Sequence, residues 1–427
     1  MSHSATPGGA QSVLVDITAG LRSFGFEPVV ALPESGPLRG RFTDATTLVT
    51  PLRWWADWAP RVRRPLVVVD ARERFLHRLT ERVERLVRVA EELDVEAIVS
   101  NTLVIPDGAL AAAEARLPHI WYAHEFIGAN PDLELAFAAT DIARYVGLLS
   151  DRVVAVAGAV RDELVALGTE PTKIEVVHNG VDRDRFRAEP FPPEQALPTV
   201  AFVGALSERK GLDVLLEAFA HVQHGLPAAQ LVVAGGATAA RKRYLQASMK
   251  RLGLTNVEFL GELDDVSSVF GRANVIALPA LLDPFPLAVL EAMAMGRAVV
   301  GTRSGGMGEQ VADGVTGTLV PPGDAVALGR ALLRYLEDRA AAQRAGALGA
   351  ERVAEHFTLE KTISSFAELL GDVADETAPD RRNVSRELLA LSSSSAAVAV
   401  REALERGLRL SRLHSYRPAL RKGARNP

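Results

Sequence analysis

An apolar run, Asn274 to Leu282 (NVIALPALL), passes directly into Asp283 to Gly296 (DPFPLAVLEAMAMG), and this junction restricts the fold more than any other stretch. The first part is short, apolar and without alternation, as a strand buried on both faces of a parallel sheet is. The second has helical spacing: Leu287, Leu290 and Ala294 share a face, and Glu291, at i+4 from Leu287, flanks it. Pro286 suits the first helical position, where its fixed φ helps and its missing N–H leaves nothing unpaired, and Gly296 is a natural stop. A buried strand turning into a helix places the junction at the carboxyl edge of an open α/β sheet, where such sheets bind ligands. The helix start offers free N–H groups and a positive dipole end, which suit phosphate. Glu291, the only acid of this helix, can accept two hydrogen bonds from a diol such as a ribose. The plainer alternative is that Glu291 serves the helix dipole and Asp283 the turn.

DPFPLAVLEAMAMG resembles the E-x7-E signature of the retaining, two-Rossmann-domain (GT-B) glycosyltransferases of family 4, also called glycosyl transferases group 1. The resemblance implies that Glu291, matching the second acid, holds the ribose of a nucleotide and that Asp283, matching the first, lies at the donor sugar. Two departures stand out: Asp283 replaces the more usual Glu, and Pro286 the usual Gly. The shorter acid retracts the carboxylate by roughly one methylene, and proline removes an N–H donor. Phe285, Pro286 and Leu287 at the helix start become candidate donor contacts.

The opening MSHSATPGGAQSVLVDITAGLRSFGFEPVVALP predicts a helix over Gln11 to Phe24, ended by Gly25, and a strand over Phe26 to Leu32. Family members resemble this opening but have an apolar strand ahead of the glycine loop, whereas seven residues precede Gly8 here. The expectation is a first domain without its first strand, Met1 being an internal start or cloning boundary and the natural chain beginning upstream. Losing a central strand would expose apolar surface on both faces, at about 25 cal/mol per Å². Gly8 and Gly9 would let backbone approach the diphosphate or acceptor; two adjacent glycines also make a plain turn. Trp54, Trp55 and Trp58 in RWWADWAP form a packing cluster or, alternatively, an acceptor platform or interfacial anchor assisted by Arg61, Arg63 and Arg64. Arg72 to Leu93 predicts one charged amphipathic helix. VEAIVSN ends a strand at Asn101, and HIWYAHEF ends another with His124 and Glu125 at the opposite wall of the same cleft. A histidine there can be a satisfied surface residue; the resemblance gives His124 a contact with the donor sugar near the reacting carbon, and Glu125 a weaker claim. Asp182 and Asp184, a D-x-D after Asn179-Gly180, read as turn chemistry, because a metal needs more oxygen ligands than this.

Glu189 to Pro198 (EPFPPEQALP) is a proline-rich linker. TVAFVGALSERKGLDVLLEAF then resembles the family's G-R-L-x-x-x-K-G, whose Arg and Lys grip the diphosphate. Lys210 and Gly211 match, Ala205 stands at the Arg position, and Arg209 is the candidate substitute. Lysine is scarce, at positions 173, 210, 242, 250, 361 and 422, and unfavourable at a helix start, so Lys210 is singled out. Loops at Gly235-Gly236 and Gly261-Glu262-Leu263 would flank the base, with Gly235 and Leu263 as contacts. Neither makes G-x-G-x-x-G, which weakens a nicotinamide dehydrogenase reading. Glu360 to Val373 predicts a last helix that, in proteins of this family, braces the first domain.

The expected architecture is α/β, with two doubly wound parallel sheets facing a cleft. Residues 1–188 form the acceptor-side domain, 189–198 the linker, 199–358 the nucleotide-sugar domain, 359–378 the crossover helix and 379–427 a basic tail. From Asp380 onward 11 Arg or Lys face four acids, so the tail is either solvated or attached to anionic lipid at the inner face of a membrane, with Arg401 to Leu413 as a basic surface helix. A net charge of −5 argues against general nucleic-acid binding, and the lack of cysteine excludes disulfides and thiolate chemistry. With no leader or long apolar span the expected location is the cytoplasm. The resemblance implies retaining, hexosyl-type transfer from a nucleoside diphosphate sugar to a glycan, lipid-linked or small-molecule acceptor, as in polysaccharide biosynthesis. No cofactor or metal is expected, because Lys210, the helix start and backbone amides can carry the leaving charge. A catalytically degenerate binding protein of the same fold and a GT-B sugar-nucleotide epimerase are the alternatives.

Overall fold

The computed structural model describes residues 1–6, 8–58, 71–375 and 378–392. The first half carries β1 (Val29–Leu32), β2 (Thr46–Val49), β3 (Ala56–Trp58), β4 (Ile98–Ser100), β5 (His119–Ala123), β6 (Leu133–Leu135), β7 (Arg152–Ala155) and β8 (Ile174–Val176). β1 and β2 pair in parallel, β4-β5-β7-β8 form a parallel sheet, and β3 and β6 make a small antiparallel ribbon. Among the described residues no strand precedes Gly8, as expected. Instead the backbone of Met1 and Ser2 runs between β1 and β4. The Met1 amino group donates to Val99 O at 2.5 Å, Met1 O accepts from Asn101 N at 2.9 Å, and Ser2 N donates to Ala31 O at 3.0 Å. Two residues thus fill the slot between β1 and β4. Burial there pushes the amino group down to about 5.

Every residue of β5 is buried, as its unbroken apolar run requires of a central strand. Trp55 is wholly buried, stacked on Trp121 at 5.9 Å and 15°, with its Nε1 donating to Leu103 O at 2.6 Å. Trp55 is therefore a core residue and no acceptor platform, and Trp54 packs half-buried on the same core. The Trp58 side chain, Arg61, Arg63 and Arg64 lie outside the described residues. The single helix expected over Arg72 to Leu93 is two, Ala71–Leu76 and Leu79–Glu92, broken at Arg78 with φ 52°. Buried Arg82 explains the break. It pairs with Asp107 at 2.7 Å and takes the carbonyls of Phe75, at 3.1 Å, and His77, which turn to it instead of continuing a ladder.

The second half is one parallel sheet of β9 (Thr199–Val203), β10 (Gln230–Ala234), β11 (Val257–Gly261), β12 (Val275–Leu278), β13 (Ala298–Thr302) and β14 (Gly317–Val320), in the order β11-β10-β9-β12-β13-β14. Residues 189–192 are strapped to this half. Buried Arg297 donates to Glu189 O at 3.1 Å and Pro190 O at 2.9 Å, while Arg339 donates to Pro192 O and lies 4.6 Å over the Phe191 ring.

The chain crosses between halves twice, and the crossings lie side by side: Val181 N donates to Phe357 O at 2.9 Å and Leu359 N to Val181 O at 3.1 Å. The Leu359–Asp375 helix then packs on the first half, with Ile363 against Gly20 and Phe366 against Tyr122 at 5.2 Å. The expectation of a tail from residue 379 is corrected for its first part. Arg382–Ser392 is a helix packed against the Leu79–Glu92, Asp107–Ala115 and Ala139–Leu149 helices. Ser385 and Leu388 are buried, and Arg381 forms a two-pronged buried pair with Asp151 at 2.9 and 2.5 Å. The rest of the tail, with Arg401 to Leu413, lies outside the described residues. Among those described, no helix is long and apolar enough to cross a membrane.

Candidate functional site

The strand order of the second sheet reverses at β9 and β12, which pair in parallel through Val200–Val275 and Ala201–Ile276. Both strands therefore deliver their following loops to one spot, the crevice where ligands bind such sheets. The loop after β9 carries Arg209 and Lys210; the loop after β12 carries Asp283. The loops interlock at Gly211, whose φ is +74° and where an added Cβ would lie 1.9 Å from Pro279 O. Only glycine permits that approach. Leu281 N donates to Arg209 O at 2.8 Å, and Arg209 Nη1 donates to Leu282 O at 2.7 Å.

The result is a cluster of charge around one carboxylate. Asp283, 5% exposed, pairs through Oδ2 with Lys210 Nζ, and Arg209 Nη1 stands 4.0 Å from the same oxygen. Arg209 Nε also reaches across the cleft to Asp132 Oδ2 at 3.4 Å. Ala205 is exposed and contributes no charge, and the second cation beside Asp283 is Arg209.

Pro286 is corrected from the first helical position to the cap of the Leu287–Ala294 helix, with ψ 118°. Its carbonyl accepts from Val289 N at 3.2 Å and Gln310 Nε2 at 3.0 Å, which holds it outside the helix. The leading amides of Leu287 and Ala288 remain without a helical acceptor. Phe285 is buried and stacked on His178 of the first half at 5.0 Å and 15°, so its ring is committed to a contact between the halves. Gly235 has φ +151° and an added Cβ would lie 1.8 Å from Gly204 O, so the packing of the two loops already demands glycine there. Leu263, just past β11, is exposed.

Glu291 is half-buried and has no hydrogen-bond partner among the described residues. Burial pushes its carboxyl up to about 7; Arg185 opposes the shift, while Asp16 and Asp265 reinforce it. Asp16, on the Gly9–Leu21 helix of the first half, is itself raised by burial against the pull of Arg41 and Arg185. The charge of Asp16 thus reaches Glu291 across the cleft.

The opposite wall holds His124, whose Nε2 lies 3.2 Å from Asn101 Oδ1 and whose ring lies 4.1 Å from that of Tyr122. Burial, with His3 adding to it, pushes His124 down to about 3, so the ring is neutral. Gly8 caps the Gly9–Leu21 helix beside it, and Asn101 Nδ2 donates to Ala10 O at 2.9 Å. Glu125 is buried. It accepts from Thr102 Oγ1 at 2.7 Å and Leu103 N at 3.0 Å, and burial raises it to about 7. Asp182 Oδ1 accepts from the amides of Asp184 at 2.8 Å and Arg185 at 3.2 Å, the turn geometry expected of it.

Two family models divide the chain between them: that described as Glycosyltransferase Family 4 matches residues 7–185, and Glycosyl transferases group 1 matches residues 182–352. The alpha-maltose-1-phosphate synthase of Mycolicibacterium smegmatis is 30% identical over 281 residues, 59% of this chain and 72% of that one. The chain belongs to glycosyltransferase family 4. Among its relatives are the glycogen synthase of Mycobacterium tuberculosis, 28% identical over 59% of this chain and 68% of the relative. The D-inositol 3-phosphate glycosyltransferase of Salinispora tropica is 34% identical over 53% of this chain and 52% of its own length. The match thus spans about half of that relative. The fold matches Anabaena HepE, solved in complex with UDP and glucose, with TM-score 0.70, 23% identity and coverage of 86% of this chain and 97% of that one. It also matches sucrose-phosphate synthase of Thermosynechococcus elongatus, with TM-score 0.70, 22% identity and coverage of 87% and 94%.

Several residues of this family-4 cleft escaped the sequence reading. Asp132 sits in an unpatterned stretch, Asp16 lies inside the expected Gln11 to Phe24 helix with nothing to mark it for the cleft, and Arg185 follows the D-x-D without a motif of its own. Glu309, from the second half, accepts from Gly158 N at 2.9 Å and Ala159 N at 3.1 Å at the start of a first-half helix, and meets His178 Nε2 at 2.8 Å. Burial alone would raise Glu309; the hydrogen bonds from His178 and the two amides outweigh it and hold the carboxyl below its usual range.

Proposed function

We propose that this glycosyltransferase moves a hexosyl group from a nucleoside diphosphate sugar to a hydroxyl of a glycan, lipid-linked or small-molecule acceptor, retaining anomeric configuration. The observation that carries the reading is the meeting of Lys210 and Arg209 at Asp283, beside a helix start followed one turn on by Glu291, which has no partner among the described residues. The diphosphate takes Lys210, Arg209 and the leading amides of the Leu287–Ala294 helix, and Glu291 accepts from two ribose hydroxyls. The bond from the anomeric carbon to the diphosphate oxygen breaks and a bond to the acceptor oxygen forms on the same face. The acceptor proton passes to the departing diphosphate oxygen. Lys210 and Arg209 stabilise the charge that develops there, and no step is routed through a metal. His124, being neutral, serves as a hydrogen-bonding group toward the sugar and not as an acid. The UDP bound in the HepE crystals makes uridine the first nucleotide to test.

The second reading, a binding protein without turnover, is favoured by Ala205 and by the tie between Lys210 and Asp283. Calorimetric titration with UDP, GDP and ADP, followed by assay of sugar release from the matching donors with and without added acceptors, separates the two. Binding with neither transfer nor donor hydrolysis sinks the enzymatic reading; binding of none of the nucleotides sinks both.

A further inference from the structure

We propose that Asn101 is a positioning residue that fixes His124 in the tautomer protonated at Nε2, leaving Nδ1 as a bare acceptor for a hydroxyl of the donor sugar. This rests on the reading of His124 as a donor-contacting group. The argument is an inventory of donors and acceptors. Asn101 Nδ2 lies 2.9 Å from Ala10 O, and a backbone carbonyl can only accept, so the NH2 end of the amide points there and the carbonyl end points away. That end, Oδ1, stands 3.2 Å from His124 Nε2 and has no proton to give. The contact is a hydrogen bond only if Nε2 carries the proton. Because the ring is neutral, Nδ1 then has a lone pair and no hydrogen. No described residue donates to it.

The holder is itself fixed. Asn101 follows β4 directly, and its own N–H is taken by Met1 O at 2.9 Å. The ring is steadied from one face by Tyr122, at 4.1 Å, whose hydroxyl is in turn committed to Asn179 Oδ1 at 2.8 Å. Ala10 opens the helix that follows the Gly8-Gly9 loop, so the seating of that loop and the tautomer of His124 are set by one amide. A correctly seated loop presents an acceptor to the sugar; a displaced loop frees the amide to rotate and loses the preference. The ligand preference follows: a donor with a hydroxyl at the contacted position is favoured over its deoxy counterpart by about 2- to 12-fold, the range of one neutral hydrogen bond.

The test is the two-bond 15N–1H correlation spectrum of the full chain labelled with 15N-histidine, the His124 ring being assigned by its loss in His124→Gln. The expected wild-type pattern is a protonated Nε2 and an unprotonated Nδ1. Asn101→Ala should mix the tautomers and lower kcat/KM for the donor. Asn101→Asp keeps an acceptor opposite Nε2 and so keeps the proton there, while its second oxygen repels Ala10 O and raises KM. A wild-type ring protonated at Nδ1, or an Asn101→Ala spectrum with unmixed tautomers, overturns the proposal and leaves glycosyl transfer standing. If Asn101→Ala fails to fold, the wild-type spectrum alone decides. A His124→Gln protein with unchanged kcat/KM removes His124 from the reaction and with it the value of the tautomer, whatever the spectrum.

Discussion

Glu291→Gln is the sharpest probe of the nucleotide site, because the energy of a charged hydrogen bond sets the size of its effect and the raised carboxyl sets the pH range over which it weakens. The carboxyl is raised to about 7, and binding two ribose hydroxyls favours the ionised form, which accepts two hydrogen bonds. Affinity should therefore rise with pH through 7, with proton release on binding. At pH 8 about nine-tenths of the wild-type carboxyl is ionised. Replacing it with an amide there should cost about 1.5–3 kcal/mol, roughly 10- to 150-fold in Kd. At pH 6 only about a tenth is ionised, and the advantage of wild type should shrink by roughly tenfold. The assay is calorimetric titration of both proteins with UDP at pH 6, 7 and 8, compared as a ratio. The phosphate titrates in both measurements and cancels. A ratio that stays near one at pH 8, or one that is constant from pH 6 to 8, would refute the assignment of Glu291 to the ribose.

Four further predictions concern the frame and its loops. Glu125 is raised by burial to about 7 from an ordinary 4.5, so the native state holds a proton that the unfolded chain releases. Its contribution to stability is present at low pH and is lost as pH rises through that window. Thermal melts should show Glu125→Gln gaining on wild type between pH 5 and pH 8, and a constant difference would contradict the assignment. Arg381→Ala strands Asp151 as a buried charge and should cost about 3–5 kcal/mol in urea unfolding, of which Arg381→Leu combined with Asp151→Asn should recover a large part. Gly211→Ala forces a side chain into φ +74° and against Pro279 O; it should cost at least about 2 kcal/mol and weaken UDP binding by displacing Lys210. Gly9→Ala, whose Cβ meets nothing within 4 Å, should leave stability unchanged, so any loss of transfer reports on the loop itself.

The β12-to-helix junction was legible because its two periodicities are local: an apolar run that has to be buried, then a helical stripe ended by Gly296. The family signature added the residues at that edge. What escaped was set by partners far away in sequence. Lys210 and Asp283 are 73 residues apart, and only the reversal of strand order brings them together. The Arg382–Ser392 helix was hidden by its arginines, since a basic composition reads as tail. Its anchor, Arg381, finds its acid 230 residues earlier. Arg82 broke a helix that its own sequence continues, because a buried guanidinium claims carbonyls that the periodicity assigns to the ladder. Phe285 stood in the signature, yet its ring packs on a histidine that no local pattern connects with it.

The paired crossings at Val181 and Phe357 to Leu359 have a mechanical consequence. Two tethers bonded edge to edge bend together and resist sliding past one another, so they behave as the pin of a door. At the same joint an added Cβ on Gly180 would lie 2.1 Å from Thr358 O, which leaves the pin no thickness to spare. Residues 189–192 are held to the second half by Arg297 and Arg339, so that stretch adds no slack to the joint. Any swing of one half against the other would have to bend both crossings together and disturb the Glu309 carboxylate seated on the amides of Gly158 and Ala159.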